Sequence, residues 1–401
     1  MIGADWILAK SFFEFTVWGF FSLLVAEVLR DSYHALCHQV TWLAKWHNKH
    51  HAAYRRDLSI VSLKVYQESQ LYHDIVESSL LVVILTLLVL VVRQSGLWLG
   101  VAYASTFLYG ASIRYFQGKV ETDYNHLPGP IDTIPSHWWV NRSYHWRHHF
   151  DNVNAYYSGV FPLVDKILGT GLSLKGKTFA ITGASGALGQ ALIAELLKYH
   201  GKIIALTTSP DKIPAQTGVK VVPWQLDNET QLQDILEKVD ILIINHGINV
   251  YTSRTSESIN TSYEVNTFSA LRLMDTFLAT VKGNEAKATK EIWVNTSEAE
   301  VSPALSPLYE LSKRALGEIV TLKRLDEACV IRKLILGPFK SQLNPYGVMT
   351  ASQVAKGILF FAQRDFRDII VTINPLTYGL FSLKETSTGL YYRLFSKSGK
   401  I

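Results

Sequence analysis

Eleven of the chain's thirteen histidines fall within the first 150 residues. Eight of them form three short boxes, His34-x-x-x-His38, His47-x-x-His50-His51 and His145-x-x-His148-His149. Residues three and four apart share one helix face, so each box presents two or three imidazoles toward a common centre. Lone buried histidines, each satisfied by one backbone group, do not recur at such spacings, and the pattern predicts metal ligation. A zinc ion takes three or four protein ligands, so eight imidazoles, or nine if His126 joins them, are too many for one ion and enough for two. Imidazole suits iron, copper, nickel and zinc alike, and ligand type alone leaves the metal open.

A second set of reactive residues lies beyond residue 175. An apolar strand over 178–181 runs into TGASGALG, which opens a helix over 190–199. That position gives each glycine a task. Gly183 makes the turn, Gly186 lets the backbone approach a pyrophosphate, Gly189 permits close helix packing, and the helix amino terminus faces the anion. Ser185 in the same loop is a further cofactor contact. The strand 202–206 ends in Thr207, Thr208 and Ser209 with Lys212 nearby. An acid there would bind the ribose 2′-hydroxyl of NAD, and its absence favours NADP. The strand 219–226 leads to Asp227 at the adenine edge, and the strand 241–244 leads to Asn245, His246 and Gly247 beside the cofactor, with His246 read as a loop residue. Tyr309-x-x-x-Lys313 puts an ammonium one helical turn from a phenol, where positive charge lowers the tyrosine pKa and makes it a usable general acid or base. Ser297 stands twelve residues before the tyrosine at the end of a strand over 292–295, with Thr296 as its reserve, and Asn266 completes the set.

The elements that must hold these residues differ between the halves. Of the 401 residues 48 % are hydrophobic, a high share that is concentrated locally. Residues 78–92 and 94–113 are apolar runs separated by Arg93, and about twenty apolar residues cross a bilayer core. A more ragged stretch, 6–29, carries Lys10, Glu14 and Glu27. It reads as a span with polar residues turned toward other helices or as an interfacial helix, and as retained, since no small-residue cleavage site follows it. Arg30, Lys45, Lys49, Arg55, Arg56 and Lys64 follow that stretch, which predicts that the first two boxes face the cytoplasm. Two crossings then return the third box to the same side. The two cysteines, Cys37 and Cys329, make no disulfide framework. The net charge of +5 is spread without a Lys/Arg run of the nucleic-acid kind.

Residues from about 15 to 170 resemble the fatty acid hydroxylase and sterol desaturase superfamily of membrane di-iron enzymes. The resemblance rests on HALCH, HNKHH, two hydrophobic runs, YNHLPGP, HWRHHFDN and FPLVDKILGT, in that order. It implies two irons held by His34, His38, His47, His50, His51, His145, His148 and His149, with His126 as the ninth ligand. It also implies dioxygen as co-substrate, a lipid substrate, and an external electron donor such as ferredoxin or a cytochrome b5-like carrier. Many members carry a second histidine near His126; here the next is His137, which reads either as a ligand or as an interfacial residue beside Trp138 and Trp139. His73, next to Asp74, reads as a support or surface residue rather than as a ligand, and Asp165 as a support of the site or a helix cap. Over about 175 to 375 the chain resembles the short-chain dehydrogenase/reductase family. That resemblance implies Tyr309 as acid/base, Lys313 on the nicotinamide ribose, Ser297 orienting the carbonyl or hydroxyl, and Asn266 holding a proton-relay water. The glycines depart from the commoner TGxxxGxG spacing.

The expected architecture is therefore an α-helical integral membrane di-iron domain, 1–170, followed by an α/β Rossmann-type doubly wound parallel sheet, 171–376. An aromatic and basic tail, 377–401, suits either a membrane interface or packing on the sheet. The joined halves resemble fused sterol desaturase/short-chain dehydrogenase proteins. The expected activity is O2-dependent lipid hydroxylation or desaturation coupled to NADP-dependent carbonyl/alcohol oxidoreduction, with both sites on the cytoplasmic face. Two rivals are a membrane-anchored reductase with an inactive His half and a scaffold with a degenerate Rossmann domain.

Overall fold

The computed structural model describes residues 2–397, with side chains from residue 9 onward. The Trp6 side chain of the first hydrophobic stretch and Lys400 of the tail lie outside the described residues. The chain forms two compact units, one of residues 1–131 with 135–171, the other of 132–134 with 172–401.

The first unit is helical: α1 (Ile2–Gln39), α2 (Thr41–His51), α3 (Leu63–Ser69), a π-helical turn (Gln70–Asp74), α4 (Ile75–Val92), α5 (Trp98–Gln117), α6 (Arg142–Phe150) and α7 (Leu163–Leu168). The ragged first stretch and the first His box are one helix. Its carboxyl-terminal half turns its charges inward, as Arg30 Nη2 lies 2.8 Å from Glu27 and 3.1 Å from Asp31, all three buried, whereas Lys10 and Glu14 are exposed. Ala9–Gln39 and Leu63–Val92 are long and apolar enough to cross a membrane. The second apolar run, expected to cross as well, becomes α5, whose tyrosines, serines and glycines leave it less apolar than α4. At 20 residues it still spans about 30 Å. Arg93 closes α4 in the left-handed region, φ 58°. Gly100 lets α5 approach α1, its N–H bonding Ser22 Oγ at 2.9 Å where a Cβ would meet Ser22. Phe12, Phe20, Leu24, Val83, Leu87, Leu90 and Val91 face outward. A soluble bundle would bury such side chains; an apolar exterior suits a lipid surround.

In the second unit β1 (Thr178–Thr182), β2 (Lys202–Thr207), β3 (Val219–Pro223), β4 (Ile241–Ile244), β5 (Glu291–Asn295), β6 (Val330–Leu336) and β7 (Asp368–Val371) form one parallel sheet in the order 3-2-1-4-5-6-7. The strands are near-continuous apolar runs because helices cover both faces, with apolar clusters on each side. Strand order reverses beside β1, which pairs with β2 on one side and β4 on the other, and ligands of such sheets bind outside the strand carboxyl ends there. β3 stops at Pro223, short of the expected 226, with the Trp224 amide still donating to Thr207 O at 3.0 Å. The tail is a helix, Leu376–Phe395, that buries Thr377 and Phe381 and sends Glu385 to the buried Lys333 at 2.6 Å. Leu376, Leu383, Leu390 and Leu394 remain on its outer side.

Candidate active sites

Box one ends α1, box two ends α2, box three lies within α6, and His126 closes a short 3-10 turn, Tyr124–His126. Their imidazoles converge in two groups, His34, His38, His47, His51 and His148 in one and His50, His126, His145 and His149 in the other. In the first group the Nε2 atoms of His34, His38, His47, His51 and His148 lie 2.9–3.2 Å from a neighbour's Nε2. In the second, His126 Nε2 is 2.8 Å from His145 and 3.1 Å from His149. The groups adjoin, with His51 and His149 ring centroids 4.6 Å apart. All nine expected ligands are therefore brought together. His137 is not; its ring packs on Trp138 at 4.9 Å.

The outer nitrogens fix the rings. His34 Nδ1 donates to Tyr157 O at 2.7 Å, His148 Nδ1 to Ala155 O at 2.8 Å, and His126 Nδ1 to Asp123 Oδ1 at 2.8 Å. Each such bond puts the ring proton on Nδ1 and turns the Nε2 lone pair inward, the arrangement metal-binding histidines use. Burial and then the neighbouring imidazoles hold His145 and His149 well below the usual histidine range. They are neutral, which is the ligating form. This donor chemistry fits two metal ions. Asp165 supports the site from outside: fully buried, it accepts from Tyr144 Oη at 2.8 Å, the Tyr157 and Ser158 amides at 2.9 and 2.8 Å, and Thr170 Oγ1 at 2.6 Å. It thereby holds the loop whose Tyr157 carbonyl orients His34. Asp123 went unremarked in the sequence. Its spacing three residues before His126 was the available signal, and it also accepts from Tyr54 Oη at 2.7 Å.

At the sheet's carboxyl end Gly183 has φ +61°, and a Cβ on Gly189 would lie 2.4 Å from Gly183 O, so both glycines are required by geometry. Gly186 caps the helix α8 (Ala187–Leu197). Thr207 Oγ1 donates to Ser185 Oγ at 2.8 Å, and Thr208 beside it is exposed. Asn245 accepts from Asn295 Nδ2 at 3.2 Å, and Gly247 lies against the Asn266 amide and the Lys313 ammonium. Asp227, in a turn at φ +68° and mostly exposed, pairs with Arg272 at 3.2 Å. His246 bridges Thr182 and Ser269, each at 2.8 Å, as a structural loop residue.

Ser297 stands at φ 93°, ψ 148°, a conformation an L-residue keeps only when its surroundings impose it. Burial raises the Tyr309 pKa, and the Ser297 hydroxyl beside it pulls the other way. The expected lowering by Lys313 is not found. The ammonium instead donates to the Asn295 carbonyl at 2.8 Å, and burial brings it down to about 8 against the opposing charge of Glu300. A buried ammonium needs an acceptor, and the end of β5 offers one. Asn266 sits in a π-helical turn, Glu264–Phe268, with its side chain bonded to both backbone groups of Ile248 and to Ser312 Oγ. Thr296 is fully buried with its hydroxyl unpartnered, whereas the Ser297 hydroxyl bonds Tyr309.

A family model for fatty acid hydroxylase matches residues 19–170 and one for short chain dehydrogenase matches residues 177–331. The chain is 51 % identical over 405 residues to the monoglucosyldiacylglycerol epimerase of Synechocystis sp., covering 94 % of this chain and 96 % of that protein. The chain belongs to that epimerase's family. It joins a fatty acid hydroxylase half to a short-chain dehydrogenase half and is a membrane-associated oxidoreductase. The dehydrogenase half is also similar to the ketoacyl reductase HetN of Nostoc sp., 24 % identical over 262 residues, 56 % of this chain and 90 % of that one. Among solved structures, a short chain dehydrogenase from Burkholderia cenocepacia in complex with NADP aligns with a TM-score of 0.46 at 18 % identity, covering 56 % of this chain and 100 % of that chain.

Proposed function

We propose that the chain modifies a glycosyl diacylglycerol at the membrane surface, with two chemistries on one polypeptide. In the dehydrogenase half a hexose hydroxyl is oxidised and the resulting carbonyl reduced from its other face, inverting that carbon with no net redox change. Tyr309 takes the hydroxyl proton and returns it to the carbonyl oxygen, Ser297 orients that oxygen, and Lys313 and the glycine loop bind the nicotinamide nucleotide. NADP(H) would supply and take back the hydride, and Ser185, Thr207 and Thr208 leave room at the end of β2 for its 2′-phosphate. In the hydroxylase half the two imidazole groups would hold two irons, whose chemistry is O2-dependent oxidation of a lipid carbon with electrons from an external ferredoxin or cytochrome b5-like donor. Both sites face the cytoplasm in this reading.

The observation that carries it is the 51 % identity, over nearly the full length, to a glycolipid epimerase, in a chain that keeps Ser297 beside Tyr309 and Lys313 on the Asn295 carbonyl. Lipid extracts of cells lacking the gene test it: a monoglucosyl diacylglycerol should accumulate and its stereoisomer disappear, with restoration by the wild-type gene and not by Tyr309→Phe. An unchanged glycolipid profile would contradict it. For the topology, cysteine placed at Ser95 should react with an impermeant reagent from the side opposite to cysteine at Lys175; labelling of both from one side would overturn the crossing scheme.

A further inference from the structure

His47 is held differently from the other fixed ligands. Where His34, His148 and His126 give their Nδ1 protons to carbonyl or carboxylate oxygens, His47 Nδ1 faces another imidazole, His73 Nδ1, at 3.3 Å. His73 is 5 % exposed, and its ring centroid lies 4.3 Å from that of His47 and 5.0 Å from that of His50. It is thus wedged between one member of each imidazole group. It comes from the π-helical turn Gln70–Asp74, and the extra residue of such a turn rotates the following side chains by about 100° relative to a regular helix. π-turns of this kind recur at functional sites.

We propose that His73 is a positioning residue of the five-imidazole group. Its Nδ1 accepts the Nδ1 proton of His47, so His73 carries its own proton on Nε2. His47 is thereby locked with its Nε2 lone pair inward, where that atom lies 2.9 Å from His51 Nε2 and 3.2 Å from His34 Nε2. A neutral acceptor does this without adding the negative charge that Asp123 brings to His126 on the other side, so the two metal positions differ in the charge behind their ligands. The inference rests on the reading of the histidines as a two-metal centre.

The test uses the full chain, purified in detergent and loaded with ferrous iron alone. His73→Leu removes the acceptor and fills the space, whereas His73→Asn keeps an oxygen where Nδ1 stood. Metal per chain, the rate of iron release to a chelator, and the Mössbauer spectrum are recorded, with nicotinamide-nucleotide binding by the second unit as the control for folding. The expectation is that His73→Leu releases one of the two irons about 10–100-fold faster and alters one quadrupole doublet, while His73→Asn stays within about threefold of wild type. Wild-type retention by His73→Leu, or equal damage in His73→Asn, would overturn the inference while leaving the metal centre standing. A wild-type chain that takes up no metal would overturn the two-metal reading itself, and the role of His73 with it.

Discussion

The Lys313 ammonium donates to the Asn295 main-chain oxygen at 2.8 Å. This bond pins the lysine to the carboxyl end of β5, the strand that also delivers Ser297, so the position of one site residue depends on the backbone beside another. The phenol of Tyr309 is tuned at close range by Ser297 rather than by the lysine four residues on.

Tyr309→Phe should therefore abolish hydride transfer while leaving NADPH binding within about threefold of wild type, since the ring's packing and the glycine loop are untouched. NADPH should bind more tightly than NADH, and Thr208→Asp should reverse that order by weakening NADPH at least about tenfold through repulsion of its 2′-phosphate. Fluorescence titration of both nucleotides checks each point, and a clear wild-type preference for NADH would overturn the cofactor assignment.

Gly189→Ala places a methyl 2.4 Å from Gly183 O and 2.7 Å from Ala184 Cα, contacts that only backbone movement can relieve. A cost of about 1–3 kcal/mol is expected, together with loss of nucleotide binding. Gly186→Ala, whose nearest contact is 3.2 Å, should be milder. Thermal melts in detergent with and without NADPH separate the two.

How far the sequence could be read depended on how local each relationship is. The His boxes and Tyr309-x-x-x-Lys313 lie within single helices, where spacing fixes a shared face. The division into five and four imidazoles was not legible, because His50 joins His126, 76 residues further on, while its neighbour His51 joins His34 and His148. The pairing of His73 with His47 was hidden for the same reason, the two being 26 residues apart and the orientation of His73 set by a π-turn that leaves no compositional mark. The parallel sheet followed from apolar strands alternating with helices. The strand end expected at 226 was not legible either, since β3 closes at Pro223 and leaves Asp227 in an exposed turn.

Acid should weaken the second unit through His246. Burial, with Lys313 next in effect, brings its pKa down to about 3 from an ordinary 6.5. Between those values the unfolded chain binds a proton that the folded one does not, so stability contributed by neutral His246 falls as pH drops from 6.5 toward 3. His246→Gln should flatten this dependence while lowering stability at pH 7 by about 1 kcal/mol through poorer bonds to Thr182 and Ser269. Unfolding midpoints at pH 7 and pH 5, followed by loss of NADPH fluorescence, make the comparison; equal slopes in both proteins would contradict it.

Asp165→Asn should disturb the metal centre without touching a ligand. The carboxylate accepts four hydrogen bonds, and an amide group in its place turns a donor toward donors, a cost on the order of 3 kcal/mol. The Tyr157 carbonyl would then release His34, and iron bound per chain should fall in elemental analysis. Full iron content in this variant would show that the loop holds His34 by other means.

The proposed inversion of a headgroup carbon at Tyr309 is tested by giving the purified full chain a glucosyl diacylglycerol deuterated at the hexose carbinol carbons, with a catalytic amount of NADP+. The expected product is a stereoisomeric lipid of the same mass that retains its deuterium, formed without net consumption of nucleotide and absent with Tyr309→Phe. Recovery of unchanged lipid under these conditions, or conversion that survives Tyr309→Phe, would contradict it.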